Sequence, residues 1–201
     1  MAKPEEVRDR IVEAAQGLFQ HYGYCKTTMS DLARDCSMSP GNLYRYFKGK
    51  EDIAEAMGMR CFETIWDRLR VVSRSRDIDA EECLRRFLMA ELESTYELFE
   101  KQPQFLDMMQ LLMEKRAELG NRYLATSRSM LAEILARGNS QSQFHVDDVV
   151  RTAEMIQAAT TKFRFPQLSS RLDLPQLRDE AAGVISLLLN GLSPTAERTG
   201  A

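Results

Sequence analysis

The chain has 201 residues and a formal net charge of −3, with 44% hydrophobic and 28% charged residues, as in globular proteins that can bury more than one small core. No apolar run reaches the ~18 residues of a membrane span, and the first residues lack the apolar region of a secretion signal, so we expect a cytoplasmic protein without membrane attachment. The four cysteines form no CxxC pair and the two histidines lie outside any metal-ligand or catalytic spacing, so the sequence indicates no metal, no cofactor and no enzyme.

The first predicted helix covers about residues 5–22. Its apolar residues recur at spacings of three and four, which places them on one stripe that can pack against other helices. Gly23 suits the C-terminal cap of this helix. The stripe consists of Val7, Ile11, Ala14, Ala15, Leu18, Phe19 and Tyr22.

Two short helices follow, predicted at about residues 29–36 and 40–47. Thr28 can cap the first, and a carboxylate three residues later lies near the exposed amides of its first turn. Ser39 can cap the second, with Pro40 at the first helical position, where its missing N–H has no cost. The connection of about three residues is the length found in DNA-binding helix-turn-helix motifs.

The second short helix carries side chains that suit DNA recognition. Leu43 and Phe47 lie four residues apart and would face the core, while Asn42, Arg45 and two tyrosines lie on the other faces of the helix. Asn and Arg side chains can read adenine and guanine through paired hydrogen bonds, whereas tyrosine hydroxyls and lysines suit phosphates. Two short capped helices also occur in proteins that bind no nucleic acid, so a protein-interaction role stays open.

Positive charge is concentrated around these two helices. Residues 26–50 carry five basic and two acidic side chains, a local net charge of +3 in an acidic chain. Such a patch is the electrostatic pattern expected of a DNA-binding protein. Lys3, Arg8 and Arg10 could add phosphate contacts, although a solvated face is the commoner role of such charges.

The order of residues in this region resembles the DNA-binding domain of TetR-family transcriptional regulators. The family pattern is F-x-x-x-G, then T-T-M-x-D-I-A, then G-x-L-Y-x-Y-F-x-x-K-E-x-L. In this sequence the three parts lie at residues 19–23, 27–33 and 41–53. Leu32 and Ile53 are apolar exchanges, and Gly49 stands where the family often has Ser or Asn.

The resemblance implies an all-α fold of about nine helices. A three-helix DNA-binding domain with the helix-turn-helix would cover residues 1–49, a ligand-binding and dimerisation domain residues 50–193, and a flexible tail residues 194–201. The helix at 40–47 would lie in the major groove, and the threonine and lysine that flank the motif would hold phosphates. The residues expected to contact DNA are Thr28, Ser39, Pro40, Gly41, Asn42, Tyr44, Arg45, Tyr46, Lys48 and Lys50.

The rest of the chain is also predicted to be helical. Each proline falls where a periodic apolar segment begins or ends, and no strand-like alternation competes. Residues 138–143 are expected to form a flexible loop. The further helices are predicted near residues 50–75, 79–101, 103–116, 118–137, 145–165 and 175–192.

The middle of the chain, about residues 61–138, is rich in aromatic and methionine side chains. Methionine fills irregular space and suits a loosely specified pocket, and the resemblance implies that this region binds a small molecule. For any single residue, a place in the core is the more frequent outcome. The candidate pocket residues are Phe62, Trp66, Phe87, Tyr96, Phe105, Met109, Met113 and Tyr123.

The last two predicted long helices carry apolar stripes that could form an oligomer interface or be buried within one subunit. The resemblance implies a four-helix bundle shared by two chains. A homodimer also suits DNA reading, because two recognition helices related by a twofold axis read a palindrome. The candidate interface residues are Val149, Val150, Ala153, Ile156, Ala159, Val184, Ile185, Leu188 and Leu189.

Together these patterns predict a dimeric, ligand-responsive transcriptional regulator of double-stranded DNA. The family favours a repressor that binds a palindromic operator and is released by a small apolar or amphipathic molecule of unknown identity. The alternatives are an activator of the same fold and a protein-interaction adaptor that uses the helix-turn-helix to contact another protein.

Overall fold

The computed structural model describes residues 3–169 and 171–193, so the predicted tail at 194–201 lies outside the described residues. Within these ranges the chain forms eleven helical segments and no β-strand. The prediction of an all-α fold of about nine helices is confirmed, and the described ranges have eleven segments because the chain from Val149 to Ser169 is divided into three. No helix in the described ranges is both long and apolar enough to cross a membrane.

Three helices at the N-terminal end form the helix-turn-helix region, and longer helices make up most of the remainder. The segments are α1 Pro4–Tyr22, α2 Met29–Asp35, α3 Pro40–Tyr44, α4 Lys50–Ser73, α5 Ala80–Lys101, α6 Pro103–Lys115, α7 Ala117–Ser140, α8 Val149–Ala159, α9 Thr161–Arg164, α10 Pro166–Ser169 and α11 Leu174–Leu192. Proline begins α1, α3, α6 and α10, where it leaves no intrahelical hydrogen bond unmade.

The helix predicted at residues 145–165 is interrupted. The hydroxyl of Thr160 donates to the carbonyl of Ile156 at 2.8 Å, and the hydroxyl of Thr161 donates to the carbonyl of Gln157 at 3.0 Å. Threonine hydroxyls that bond back to the preceding turn bend helices, and α8 ends at this point. The short α9 then ends before Pro166, because the residue preceding a proline disfavours helical backbone.

The loop expected at residues 138–143 is shorter than predicted, and only residues 141–143 form a turn outside a helix. Residues 138–140 are the last of α7, because the helix continues through Ser140. The Asn139 amide exchanges two hydrogen bonds with the backbone of Val146, at 2.6 and 3.0 Å. Gln143 accepts a hydrogen bond from the backbone N–H of Ala80 at 2.8 Å. The polar side chains of this segment therefore fix its conformation.

The described residues divide into two compact units. Unit 1 contains the chain up to Glu63 together with Phe99–Asn121, and unit 2 contains Thr64–Leu98 together with the chain from Arg122 onward. The domain division at residues 49 and 50 stays a prediction.

Unit 1 is built around α1, which contacts both α2 and α6. Five α1 side chains are buried: Val7, Ile11, Val12, Ala15 and Phe19. The predicted stripe is therefore largely confirmed, although Tyr22 is 57% exposed. Gly58 of α4 lies so close to Met109 of α6 that an added Cβ would be 2.9 Å from the Met109 sulfur.

Unit 2 has an apolar core to which α5, α7 and α11 each contribute. Leu84, Phe87, Leu131, Leu135 and Leu177 are each fully buried. Polar side chains are buried in the same unit, among them a charged pair that is described with the candidate sites.

Candidate functional sites

The N-terminus of α2 is fixed by a reciprocal capping box, which includes the Thr28 cap that the sequence predicted. The Thr28 hydroxyl accepts from the backbone N–H of Asp31 at 3.2 Å and donates to the Asp31 carboxylate at 2.6 Å. The Thr28 backbone N–H donates to the same carboxylate at 3.0 Å. The hydroxyl and N–H of Thr28, followed by Arg34, lower the pKa of Asp31. Thr28 itself is exposed.

The turn between α2 and α3 is held by backbone hydrogen bonds. The N–H of Met38 donates to the carbonyl of Ala33 at 2.8 Å, and the N–H of Ser37 donates to the carbonyl of Arg34 at 3.1 Å. This pair of bonds is a Schellman motif, which requires a left-handed residue after the helix. Ser37 takes that place with a φ of 54°, where glycine would be free of strain.

The third helix, α3, has accessible polar side chains on one side and buried apolar side chains on the other. The Ser39 hydroxyl accepts from the N–H of Asn42 at 3.2 Å, so the predicted cap is confirmed. Leu43 and Phe47 are buried, as expected from their spacing, while Tyr44 is 51% exposed. The α-helical part ends at Tyr44, three residues earlier than predicted, and the chain leaves through a tighter turn.

The ten residues expected to contact DNA differ in how accessible they are. Asn42, Tyr46 and Lys50 are half-buried. No described residue makes a hydrogen bond or ion pair with the Arg45 guanidinium or the Lys48 ammonium. The exposed members are Thr28, Ser39, Pro40, Gly41, Tyr44, Arg45 and Lys48.

Lys50 points into the domain. Its Nζ donates to the backbone carbonyls of Tyr24, at 2.7 Å, and Thr27, at 2.9 Å. The same nitrogen lies 4.3 Å from the centroid of the Tyr24 ring, a cation–π contact. Burial, and then the charge of Glu51, raise the pKa of Tyr24 to about 12. Lys50 therefore joins the start of α4 to the turn between α1 and α2.

The chain that leaves α3 is held by two side chains from other helices. Arg8 of α1 donates through Nη1 to the carbonyl of Tyr46, and its guanidinium lies 4.0 Å from the centroid of the Phe47 ring. Asp52 of α4 accepts from the N–H of Lys48 at 3.0 Å. The Arg8 contacts could not be predicted from the sequence, because Tyr46 is 38 positions away.

The eight candidate pocket residues are divided between the two units. Phe62, Phe105, Met109 and Met113 belong to unit 1, and Trp66, Phe87, Tyr96 and Tyr123 belong to unit 2. Six of them are buried, while Tyr96 and Met113 are half-buried. Within unit 2 the rings of Trp66 and Tyr123 stack with centroids 6.0 Å apart.

A buried polar cluster lies beside Tyr123 in unit 2. The Glu91 carboxylate accepts from the Tyr123 hydroxyl at 3.2 Å and from the Ser127 hydroxyl at 2.8 Å. Arg164 makes an ion pair with the same carboxylate at 3.3 Å, and its Nη1 donates to the carbonyl of Gln157 at 3.1 Å. Burial, and then the charge of Glu91, raise the pKa of Tyr123 well above its usual value. The cluster therefore neutralises a buried charge while placing polar atoms among aromatic rings.

Two cavities of unit 2 differ in size and lining. The first, about 10 Å³, lies beside Glu91 and Arg164 and is the size of a single water molecule. The second is an open groove of about 410 Å³ lined by Arg70, Ser73, Arg74, Ala125, Thr126, Ser129, Met130 and Glu133. None of the eight candidate pocket residues lines either cavity.

The predicted interface residues include both buried and accessible side chains. Ala153, Ile156, Ile185 and Leu189 are buried within the single chain, so they offer little surface to a partner. Val149, Val184 and Leu188 are half-buried, and Val150 and Ala159 are exposed. Two further apolar side chains, which were not predicted from the sequence, are exposed: Met155 is 56% exposed and Leu187 is 73% exposed.

Comparisons with known proteins agree with this architecture. Residues 11–57 match the bacterial regulatory protein family TetR, and residues 80–185 match the tetracyclin repressor-like C-terminal domain. The described residues thus contain a helix-turn-helix followed by further α-helices. This architecture is typical of a class of DNA-binding transcriptional regulators. The chain belongs to the TetR family.

Individual relatives match over part of the chain. The HTH-type transcriptional regulator TtgR of Pseudomonas putida is 33% identical over 86 residues, which is 42% of this chain and 40% of TtgR. The biofilm operon icaADBC HTH-type negative transcriptional regulator IcaR of Staphylococcus aureus is 33% identical over 57 residues, or 28% of this chain and 31% of IcaR. The chain thus matches less than half the length of these curated relatives.

Similarity of fold extends over nearly the whole chain. A transcriptional regulator of the TetR/AcrR family from Thermobifida fusca has a TM-score of 0.67 with 20% sequence identity. The superposition covers 92% of this chain and 97% of that chain. At this identity the comparison supports the fold alone.

Proposed function

We propose that this protein is a transcriptional repressor that binds a palindromic operator as a homodimer and is released by a small apolar or amphipathic molecule. Repression is favoured because IcaR, which is 33% identical to this chain over 57 residues, is named a negative regulator. The regulator would form its DNA surface from α3 and the ends of α2 and α4.

The observation that carries the DNA-binding part is the contrast between the two sides of α3. Leu43 is fully buried and holds the helix in unit 1, whereas Tyr44 and Arg45 are exposed. The Arg45 guanidinium has no hydrogen bond or ion pair with any described residue, so it is available for the two acceptors of guanine. Lys48 is accessible in the same way and suits a phosphate.

The dimer part rests on apolar side chains that α8 and α11 leave exposed. Val150 and Met155 of α8 are 53% and 56% exposed, and Leu187 of α11 is 73% exposed. Exposed apolar side chains on neighbouring turns are a feature of oligomer surfaces. We propose that these three residues, together with Val184 and Leu188, contact a second copy of the chain.

The effector part rests on the aromatic and polar residues buried in unit 2. Trp66 and Tyr123 offer stacked rings, and Glu91 and Arg164 offer polar atoms beside them. Binding sites of drug-sized molecules are commonly mostly apolar with a few placed polar groups. Such sites have volumes of about 300–1,000 Å³, so an effector would have to displace side chains near the 10 Å³ cavity. The change would then reach the DNA-binding region through α4, which begins at Lys50.

Selection from a pool of random duplexes, followed by fluorescence anisotropy with the selected sequence, tests the DNA-binding part. We expect a palindrome whose half-sites are about one helical turn, roughly 34–36 Å, apart, bound by two chains with strong salt dependence. Failure to enrich any sequence, or enrichment of a site bound by one chain, would contradict the proposal.

A further inference from the structure

Arg8 lies in the second turn of α1, outside the residues that form the helix-turn-helix. It is an exposed side chain, and a solvated charge or a phosphate contact is its ordinary interpretation. Its two contacts are instead with the chain segment that follows α3. Nη1 donates to the carbonyl oxygen of Tyr46, and the guanidinium stacks on the ring of Phe47 with 4.0 Å between the guanidinium carbon and the ring centroid.

The contacts of Arg8 lie directly beside the residue that is proposed to read a base. Tyr46 follows Arg45, the residue proposed to read a base, and Phe47 anchors the exit from α3 in the core of unit 1. The carbonyl of Tyr46 lies two residues beyond the end of α3, so a donor from another element fixes the direction in which the chain leaves. Asp52 holds the next peptide group through the N–H of Lys48 at 3.0 Å. The exit of α3 is thus held from α1 and from α4.

The chemistry of the arginine side chain suits this task. A planar guanidinium can stack on a ring with its face while its edge donates a hydrogen bond. A lysine ammonium carries the same charge but has no plane with which to stack, so it cannot reproduce both contacts in one geometry. The two substitutions Arg8→Ala and Arg8→Lys therefore separate the role of charge from the role of geometry.

We propose that Arg8 is a positioning residue for base recognition: it orients the C-terminal end of α3, and with it Arg45, without contacting DNA. This inference rests on the proposed binding of an operator by α3. It predicts that the loss of Arg8 lowers sequence discrimination while the affinity for non-specific DNA is kept.

The first part of the test examines the free protein. Hydrogen–deuterium exchange of peptides that cover residues 43–52 is compared among wild type, Arg8→Ala, Arg8→Lys and Arg10→Ala. Arg10 is the matched control, because it is an exposed arginine of the same helix that makes no side-chain hydrogen bond or ion pair with the described residues. We expect faster exchange in both Arg8 variants and wild-type exchange in Arg10→Ala. Equal exchange in all four proteins would overturn the anchoring role.

The second part measures affinity for the selected operator and for a random duplex at several salt concentrations, below the unfolding temperature of each variant. We expect both Arg8 variants to reduce the ratio of operator to random affinity about tenfold, a fraction of the discrimination that one base-reading side chain provides. Random-duplex affinity and its salt slope should match wild type, and Arg10→Ala should keep the wild-type ratio.

Three results would overturn the proposal. If Arg8→Ala weakens every duplex alike and lowers the salt slope by about 0.9 while Arg8→Lys binds as wild type, Arg8 contacts a phosphate. If both variants unfold at lower temperature but keep the wild-type ratio, the contacts serve stability alone. If wild type itself does not prefer the selected operator, the proposed function fails, and the positioning role fails with it even where the exchange result holds. If Arg8→Ala does not fold, Arg8→Lys alone separates the first two results. Binding and stability like those of wild type would indicate a phosphate contact, whereas a lower unfolding temperature with the wild-type ratio would indicate a role in stability alone.

Discussion

The ammonium group of Lys50 binds two backbone carbonyls, so part of the positive charge of the helix-turn-helix is used inside the domain. The carbonyls belong to Tyr24 and Thr27, on the turn between α1 and α2. A contact between Lys50 and a DNA phosphate would have to compete with these hydrogen bonds. The family resemblance assigned a phosphate to this lysine, and the geometry adds a second role that does not require DNA.

We predict that Lys50→Met lowers the free energy of unfolding by about 1–3 kcal/mol, because two carbonyls lose a charged donor. Urea denaturation of the free protein measures this change. Lys48→Met is the matched control and should change the stability by less than about 0.5 kcal/mol, because the Lys48 ammonium makes no hydrogen bond or ion pair with a described residue and acts on Asp52 only through its charge. Equal stability of the two variants would show that the Lys50 contacts are not formed in solution.

Contacts between residues close in sequence could be predicted, whereas those between distant residues could not. The caps at Thr28 and Ser39 involve partners three residues away, and such spacing can be seen in the sequence. The partners of Lys50 are 26 and 23 positions away, and the partner of Arg8 is 38 positions away. Only the packing of α1 against the other helices brings these groups together.

At the scale of the helices, two glycines with different surroundings should respond oppositely to the same substitution. Gly17 lies on the exposed side of α1, and an added Cβ would meet nothing within 4 Å. Gly138 is buried near the end of α7, and an added Cβ would lie 2.0 Å from Cδ2 of Phe144.

We predict that Gly17→Ala raises the free energy of unfolding by about 0.5–1 kcal/mol, since alanine favours helix. Gly138→Ala should lower it by about 1–3 kcal/mol, because the Phe144 ring must move and this cost exceeds the gain in helix propensity. Thermal unfolding by circular dichroism gives both values. Stabilisation by Gly138→Ala would mean that Phe144 does not pack against α7.

The junction of α6 and α7 is tied to the first turns of α4 by ion pairs within unit 1. Arg116 donates to Asp52 at 2.6 Å and also to Glu55, and Lys115 lies 3.3 Å from Glu51. The Arg116 hydrogen bond, the Lys48 N–H and the nearby positive charges lower the pKa of Asp52 against the opposing effect of burial. The contribution of this carboxylate to stability is therefore complete above the unfolded pKa of about 3.9 and is lost as pH falls below it.

We predict that Arg116→Met destabilises the protein by about 1–2 kcal/mol at pH 7, and that this difference shrinks as pH falls below about 4. Arg86→Met, which breaks a more exposed pair with Glu82, should leave the stability at pH 7 nearly unchanged. Thermal unfolding between pH 3 and pH 7 follows both differences. A cost of Arg116→Met that stays the same over this range would exclude ionised Asp52 as its cause.

Helix positions were predictable from periodicity, but several ends were not. The stripe of α1 and the proline starts follow from local spacing. The break at Thr160 and the early end of α3 depend on competing hydrogen bonds, which apolar periodicity does not report. Of the loop predicted at residues 138–143, only residues 141–143 lie outside a helix, because α7 continues through Ser140.

At the scale of the whole molecule, the assembly of two chains is the main question raised by the surface of unit 2. The sequence placed apolar stripes on the last helices but did not distinguish their two faces, because α11 has leucine on both. Leu189 is buried within the chain, whereas Leu187 is 73% exposed. Only the packing of α11 against its own unit decides which leucines remain for a partner.

We predict that Leu187→Glu converts a dimer into a monomer, because a charge would be buried without a partner at the interface. Val71→Glu is the matched control, since Val71 is similarly exposed, at 72%, on α4 and outside the proposed interface. Sedimentation velocity over a range of concentrations measures the state of each variant. A dimer that withstands Leu187→Glu but not Val71→Glu would move the interface away from α11.

The central claim is that α3 reads base pairs, and affinity measurements that compare Arg45→Ala with Lys48→Ala test it most directly. Each variant is titrated with the selected operator and a random duplex at several salt concentrations. Arg45→Ala should lose about 1–3 kcal/mol of binding free energy at the operator only, while Lys48→Ala should weaken both duplexes and reduce the salt slope by about 1. If Arg45→Ala binds the operator and the random duplex as wild type does, this helix does not read the DNA sequence through Arg45.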